Sequence, residues 1–323
     1  MTPNATTTGT SYDADSVSKA SRRSSRHSRP ITTRRGRPIQ PRRPWRPLAL
    51  AAGVVAVVAV AVVAFIGLKG SNGSAAPWSR LGTEDVHSLA FVDDDPNRLL
   101  FGHHGGISAS DDGGRNWQSL GTRSDAMSLG AASDGSIVIA GHEVFASSRD
   151  DGRTWENIPA ALPSLDIHGF ARDPGDPARM WAYLATGGLW ESLDGGITWE
   201  GVQQENVLFP VAVRASGATR LFGVTANGLA SSDDGGRTWR SVATPEIYPL
   251  ASLAATTDGS VLVAGGQGGL ARSDDGGATW SVLPFDGQAA AIAVTSGGST
   301  IGIVTRSTDF FRSDDGGRTW PAP

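Results

Sequence analysis

Five of the six histidines in this 323-residue chain recur in two short settings. In the first, an aspartate stands two residues ahead of an imidazole or thioether: Asp85-Val86-His87-Ser88-Leu89, Asp125-Ala126-Met127-Ser128-Leu129 and Asp166-Ile167-His168-Gly169-Phe170. In the second, a glycine leads into histidine: Gly102-His103-His104 and Gly141-His142-Glu143. Imidazole, thioether and carboxylate groups without any thiolate suit copper or zinc, with the aspartates serving as ligands or orienting the imidazoles. His87, His103, His142 and His168 are the candidate metal ligands. The wider candidate binding set adds His104, Met127, Asp85, Asp125, Asp166 and Glu143. Two other readings stay open: a site for a small molecule or peptide, and ordinary polar residues capping strand ends around a wet channel. No residue is singled out as catalytic. The chain has no cysteine, which removes disulfides and thiolate metal sites from consideration.

The elements that must position these residues come from a repeat. Six octets align: SDDGGRNW (Ser110 to Trp117), SRDDGRTW (Ser148 to Trp155), SLDGGITW (Ser192 to Trp199), SDDGGRTW (Ser232 to Trp239), SDDGGATW (Ser273 to Trp280) and SDDGGRTW (Ser313 to Trp320). Their tryptophans lie 38, 44, 40, 41 and 40 residues apart. A period near 40 with several short β-like runs per unit predicts a propeller blade of four strands. In each unit a strand a (Ser88 to Phe91, Ser252 to Ala255) leads through a polar turn such as DDDPNR to a strand b (Leu99 to Gly102, Val261 to Gly265). Strand c, carrying the octet, and strand d follow. The last octet ends at Trp320 with only Pro321-Ala322-Pro323 behind it, while Trp78-Ser79-Arg80-Leu81-Gly82 matches the strand d that follows Trp117. The expectation is an all-β, six-bladed β-propeller over 78–323 in which residues 78–83 supply the outer strand of blade six and protect its edge.

The octets resemble the Asp-box, S-x-D-x-G-x-T-W, of the BNR-repeat propellers, which include sialidases, sortilin-type receptors and photosystem assembly factors. Only Asn116 departs from the pattern. The resemblance implies that the boxes lie on the outer c-d turns and are structural, away from the ligand face. In such a ring the d-to-a and b-to-c turns share the face at the channel mouth, and all five histidines fall there, in blades one to three. A sialidase-like glycoside hydrolase using carboxylates on that face, a pair drawn from Asp85, Asp125, Asp166 and Glu143, is the alternative function. Against it, the F/Y-R-I-P segment of that family is missing. Of the arginines, only Arg123 and Arg306 fall in channel-face turns, and neither Tyr183 nor Tyr248 has the expected nucleophile setting. An assembly-factor role fits less well, because those propellers usually have seven blades. The resemblance therefore points to a binding module, with the identity of its ligand open.

The N-terminal part has a different character. Residues 1–47 hold eleven basic residues against Asp13 and Asp15, a net charge of +9, and the formal total of −4 leaves −13 for the rest. Few apolar residues and much Ser, Thr, Pro and Arg predict a disordered tail. Leu48 to Leu68 is an uncharged apolar run of 21 residues, long enough as a helix to cross a hydrocarbon core of about 30 Å. An uncleaved anchor is preferred over a signal peptide, whose apolar core is usually about 7–15 residues. The arginines ahead of it keep the N-terminus cytoplasmic and place the acidic domain outside the cell membrane. The basic tail reads as a topology signal for anionic lipid rather than a nucleic-acid arm. Residues 69–77, GSNGSAAP preceded by Lys69, read as a flexible stalk.

Overall fold

The computed structural model describes residues 75–323 apart from 122–124, 133 and 205. The basic tail (1–47), the apolar run (48–68) and the stalk as far as 74 lie outside the described residues. Among the described residues, no helix is long and apolar enough to cross a membrane.

Residues 79–313 form six antiparallel sheets of four strands each. In chain order the innermost strands are Ser88–Val92, Asp125–Ala131, Ile167–Asp173, Leu208–Ala215, Leu250–Ala255 and Ala289–Val294. The second strands hold the longest continuously buried stretches, because neighbouring blades cover both of their faces. Leu262–Gly266 and Ile301–Thr305 are buried at every position. In blade one the second strand runs Asp95–His103, longer than expected. Asp93 and Asp94 both take positive φ (55° and 58°), forming a two-residue turn that opens straight into the strand. The segment DDDPNR is therefore half turn and half strand.

The seam between first and last blades is packed like the others. Leu89, Phe91, Leu99 and Phe101 of blade one form one cluster with Ala291, Ala293, Val304 and Phe310 of blade six. The outer strand of blade six is Ser79–Arg80, paired with Phe310 and Asp309. Backbone bonds from Trp78 N to Phe310 O (2.7 Å) and from Leu81 N to Thr308 O (2.9 Å) extend that pairing. Ala75 already packs against the apolar cluster that contains Trp320.

Each octet folds into the same turn. The serine Oγ accepts from the amide of the glycine four residues on, the second of the pair in the other five octets, and donates to the aspartate, as in Ser148 with Gly152 N (2.8 Å) and Asp150 (2.9 Å). The aspartate then accepts from the threonine amide and hydroxyl four residues on, at 2.8 and 2.7 Å for Thr154. Asn116, the one departure from the pattern, substitutes its Nδ2 for that hydroxyl at 2.6 Å. The second glycine needs its positive φ as well as its lack of a side chain: at Gly114 (φ 95°) a Cβ would overlap the Phe310 ring.

The threonine bonds hold the carboxyls of Asp150, Asp194, Asp234 and Asp275 down at about 2. Those of Asp112 and Asp315 are also lowered, with burial opposing and the hydrogen bonds prevailing. A carboxylate whose folded pKa is depressed stabilises the fold above its unfolded value and loses that contribution as pH falls through the folded one. The melting temperature is therefore expected to stay level down to about pH 4 and to fall steeply between about pH 4 and 2. Thr154→Val should move the onset of acid unfolding upward. Calorimetry across that range checks both, and unfolding that begins near pH 6 would mean other groups govern acid stability.

Candidate functional site

A β-bulge opens the innermost strand in five blades. The register skips between Asp125 and Ser128, Ile167 and Gly169, Leu208 and Val211, Leu250 and Ser252, and Ala289 and Ala291. Such an extra residue re-aims a side chain out of the sheet. Here it turns Met127, His168, Phe209, Ala251 and Ala290 toward the central channel, a cavity of about 980 Å³. In blade one His87 holds the matching place, its amide donating to Gly102 O (3.1 Å). The bulge in blade two requires Gly141 opposite it, since a Cβ there would overlap the carbonyl oxygen of Asp125.

The mouth is therefore two-sided. Blades one to three present His87, Met127 and His168, and blades four to six present Phe209, Ala251 and Ala290 at the same register. Leu208, next to Phe209 in the chain, and Tyr248, just ahead of Leu250–Ala255, are exposed. Phe209 takes φ 51°, a left-handed conformation uncommon for a bulky side chain and often found at ligand sites. Nothing in its residue type advertised a role; only its alignment with His87, Met127 and His168 could have flagged it.

On the polar side, Asp125 is the hub. It is 8% exposed and three imidazoles surround its carboxylate. His142 Nδ1 lies 2.6 Å from Oδ2, His104 Nδ1 lies 3.1 Å from the same oxygen, and His87 Nε2 lies 3.1 Å from Oδ1. The short contact fixes the His142 tautomer: Nδ1–H donates to the carboxylate and leaves the Nε2 lone pair facing outward. That Nε2 meets His168 Nε2 at 3.2 Å and Asp166 Oδ1 at 3.3 Å, while His168 Nε2 lies 3.0 Å from the same oxygen. The backbone enforces this meeting. His142, at the end of strand b of blade two, pairs with Asp125 of its own blade and bridges to Asp166 of the next. Glu143 N also donates to Leu165 O (3.0 Å).

Two triads result, Asp85/His87/His104 and His142/Asp166/His168. Of the expected metal ligands, His87, His142 and His168 enter them, and His104 takes the place expected of His103. The His103 ring stacks on Phe101, with centroids 5.4 Å apart, and its Nδ1 accepts from Gly105 N at 3.1 Å. Burial pushes its pKa below the ordinary histidine value, which keeps it the neutral acceptor. Glu143 is exposed at φ 56° and belongs to neither triad. Met127 lines the channel. Arg306 lines the channel, and Arg123 falls outside the described residues.

The second triad has the dimensions of a metal face. Bonds of about 2.0–2.1 Å to a tetrahedral ion put ligand atoms about 3.3 Å apart, against 3.2, 3.0 and 3.3 Å here. A proton on His168 Nε2 can serve either His142 or Asp166; a divalent cation at the centre satisfies all three atoms together. The side chains are 42%, 41% and 36% exposed, so a fourth position opens to the channel mouth.

No family model and no curated protein sequence matches the chain. Among solved structures, the nidogen/laminin complex aligns with a TM-score of 0.56 and 14% identity over 70% of this chain and 93% of that one. YCF48 from Cyanidioschyzon merolae aligns with a TM-score of 0.49 and 18% identity over 77% of this chain and 88% of that one. The GH74 xyloglucanase from Xanthomonas campestris aligns with a TM-score of 0.49 and 20% identity over 71% of this chain, which spans 37% of the xyloglucanase's length. Likeness at these identities speaks to the fold alone. The described residues form an all-β, six-bladed β-propeller in which His87, His104, His142 and His168 meet Asp85, Asp125 and Asp166 on one side of the channel mouth.

Proposed function

We propose that this chain is a membrane-anchored, extracytoplasmic Asp-box propeller that binds a zinc- or copper-like divalent ion through His142 Nε2, His168 Nε2 and Asp166, and offers the open coordination position to a ligand at the channel mouth. The triangle of donor atoms with edges of 3.0 to 3.3 Å is the observation that carries it. Asp125, buried behind His142, supports the reading as the carboxylate that orients a ligating imidazole. The anchor and the outward orientation rest on the apolar run Leu48 to Leu68 and the arginines ahead of it. A glycoside hydrolase using carboxylates on the same face is the second reading; imidazoles within 3.3 Å of the carboxylates of Asp85, Asp125 and Asp166 favour the metal reading over it.

The test is elemental analysis of the full chain, purified in detergent without a polyhistidine tag and dialysed after reconstitution with Zn(II) or Cu(II). At least one equivalent of metal per chain is expected to survive dialysis. A chain that retains none under either metal does not have this function.

A further inference from the structure

The second cluster, around Asp85 and His87, contains two buried polar atoms that no hydrogen bond satisfies. His87 Nε2 lies 3.0 Å from Asp85 Oδ2 and 3.1 Å from Asp125 Oδ1, yet it makes a hydrogen bond to neither; it and Asp125 Oδ1 are both left without a partner. A buried donor or acceptor left unpaired is costly, and such groups are rare in folded proteins. Atoms that crowd together without pointing at one another are what ligands do when their lone pairs aim at a common centre. Three of the atoms here are of ligand type, one imidazole nitrogen and two carboxylate oxygens. The His104 ring stands beside them, its Nδ1 3.1 Å from Asp125 Oδ2, and its own amide donates to Asp85 Oδ1 at 2.8 Å. That amide bond holds the Asp85 carboxylate in place and leaves Oδ2 free to face His87.

We propose that the mouth holds a pair of cation sites rather than one, the second formed by Asp85, His87, His104 and Oδ1 of Asp125. This rests on the metal reading of the first site. Asp125 is the element common to both: Oδ1 is a ligand in the new site, while Oδ2 accepts the Nδ1 proton of His142, the imidazole that binds the ion in the other. Two carboxylates and two imidazoles balance the charge of a divalent ion, and a borderline ion of the zinc kind suits that donor set. The two ions are separated by the Asp125 carboxylate and the width of the His142 ring, so they communicate through a carboxylate–imidazole link rather than a shared bridging atom. Three of its four ligand groups are the more enclosed, the side chains of Asp125, His87 and Asp85 being 8%, 18% and 34% exposed, while His104, at 68%, forms its open side. Those three groups suit it to hold its ion more tightly than the other site does.

The experiment is a Zn(II) titration of the full chain in detergent, tag-free and stripped by chelator, followed by calorimetry with elemental analysis of the end point. Two equivalents per chain are expected for the unaltered protein. His87→Ala with Asp85→Asn should remove one, and His142→Ala with His168→Ala should remove the other. A single equivalent that survives the first pair and is lost with the second would overturn the paired site and leave the single-ion reading standing. No bound zinc at all would overturn the paired site, together with the zinc form of the first. The stoichiometry of the unaltered chain decides the matter even where a variant folds poorly. Circular dichroism of each variant shows whether a lost equivalent reflects a lost ligand or a lost fold.

Discussion

Deleting residues 78–82 is expected to collapse the propeller, although the deleted segment lies at the edge of the domain and contributes two residues to a strand. The segment joins the last blade to the first. It pairs with Asp309 and Phe310, and the Trp78 indole donates to Pro321 O at 2.8 Å. On the other side Ser79 Oγ donates to Gly114 O at 2.6 Å and accepts from Trp117 Nε1 at 3.0 Å, both in the octet of blade one. The Arg115 guanidinium lies 4.4 Å over the Trp78 ring. Full burial of an indole, about 150–250 Å², is worth roughly 4–6 kcal/mol, so a half-buried one contributes about half of that. With about 1 kcal/mol for each of several hydrogen bonds, the loss reaches about 5 kcal/mol or more, comparable with the total stability of many domains. The deletion also bares the edge of strand Asp309–Ser313 to another chain. Size-exclusion chromatography and thermal melting should show aggregation or a melting temperature at least about 10 °C lower. Trp78→Ala should reproduce part of the loss, and Arg80→Ala, whose side chain is exposed, little. A monodisperse deletion variant melting within 2 °C of the parent would mean that the ring closes without this strand.

Replacing His142 and His168 together by alanine should weaken Zn(II) binding at the exposed site by at least about a thousandfold, read by competition with a chelating indicator. Apparent binding free energies of about 10–16 kcal/mol for four-ligand zinc sites imply several kcal/mol per ligand, and two of three protein ligands are lost here. Asp125→Asn is expected to act more gently on that site, by about 10- to 100-fold, because the amide keeps the shape of the carboxylate but weakens its hold on the His142 Nδ1 proton. The double change should not disturb the sheets, as His142 and His168 are exposed at the rim. Affinity unchanged in the double variant would place any bound metal somewhere other than this triad.

Much of this architecture was legible in the residues because the repeat carries it. Six serines, six aspartates and six tryptophans at constant spacing specify one hydrogen-bonded turn each, and that turn is local: its partners lie two to four residues apart. Local chemistry of this kind is readable without knowing the fold. The incomplete sixth unit and the surplus strand near Trp78 were likewise readable as counterparts. The repeat also assigned each histidine to the channel face, since position within a blade sets the face on which a side chain emerges.

What the repeat left undetermined was direction and company. His103 and His104 are adjacent and chemically identical, yet one stacks on Phe101 and the other reaches Asp125, because alternate residues at a strand end leave on opposite sides. Asp125 looked equivalent to Asp85 and Asp166. It became the buried hub because the bulge in blade two turns Met127 to the channel and because His142, from the next strand of its own blade, closes over it. The meeting of His142 with Asp166 and His168 joins two blades across 24 to 26 residues of chain and depends on one backbone bridge. Sequence spacing determined the ring and its number of blades. Only tertiary structure decided which atoms face one another there, since bulges, inter-blade bridges and side-chain rotamers are set by packing between units whose sequences do not encode their neighbours.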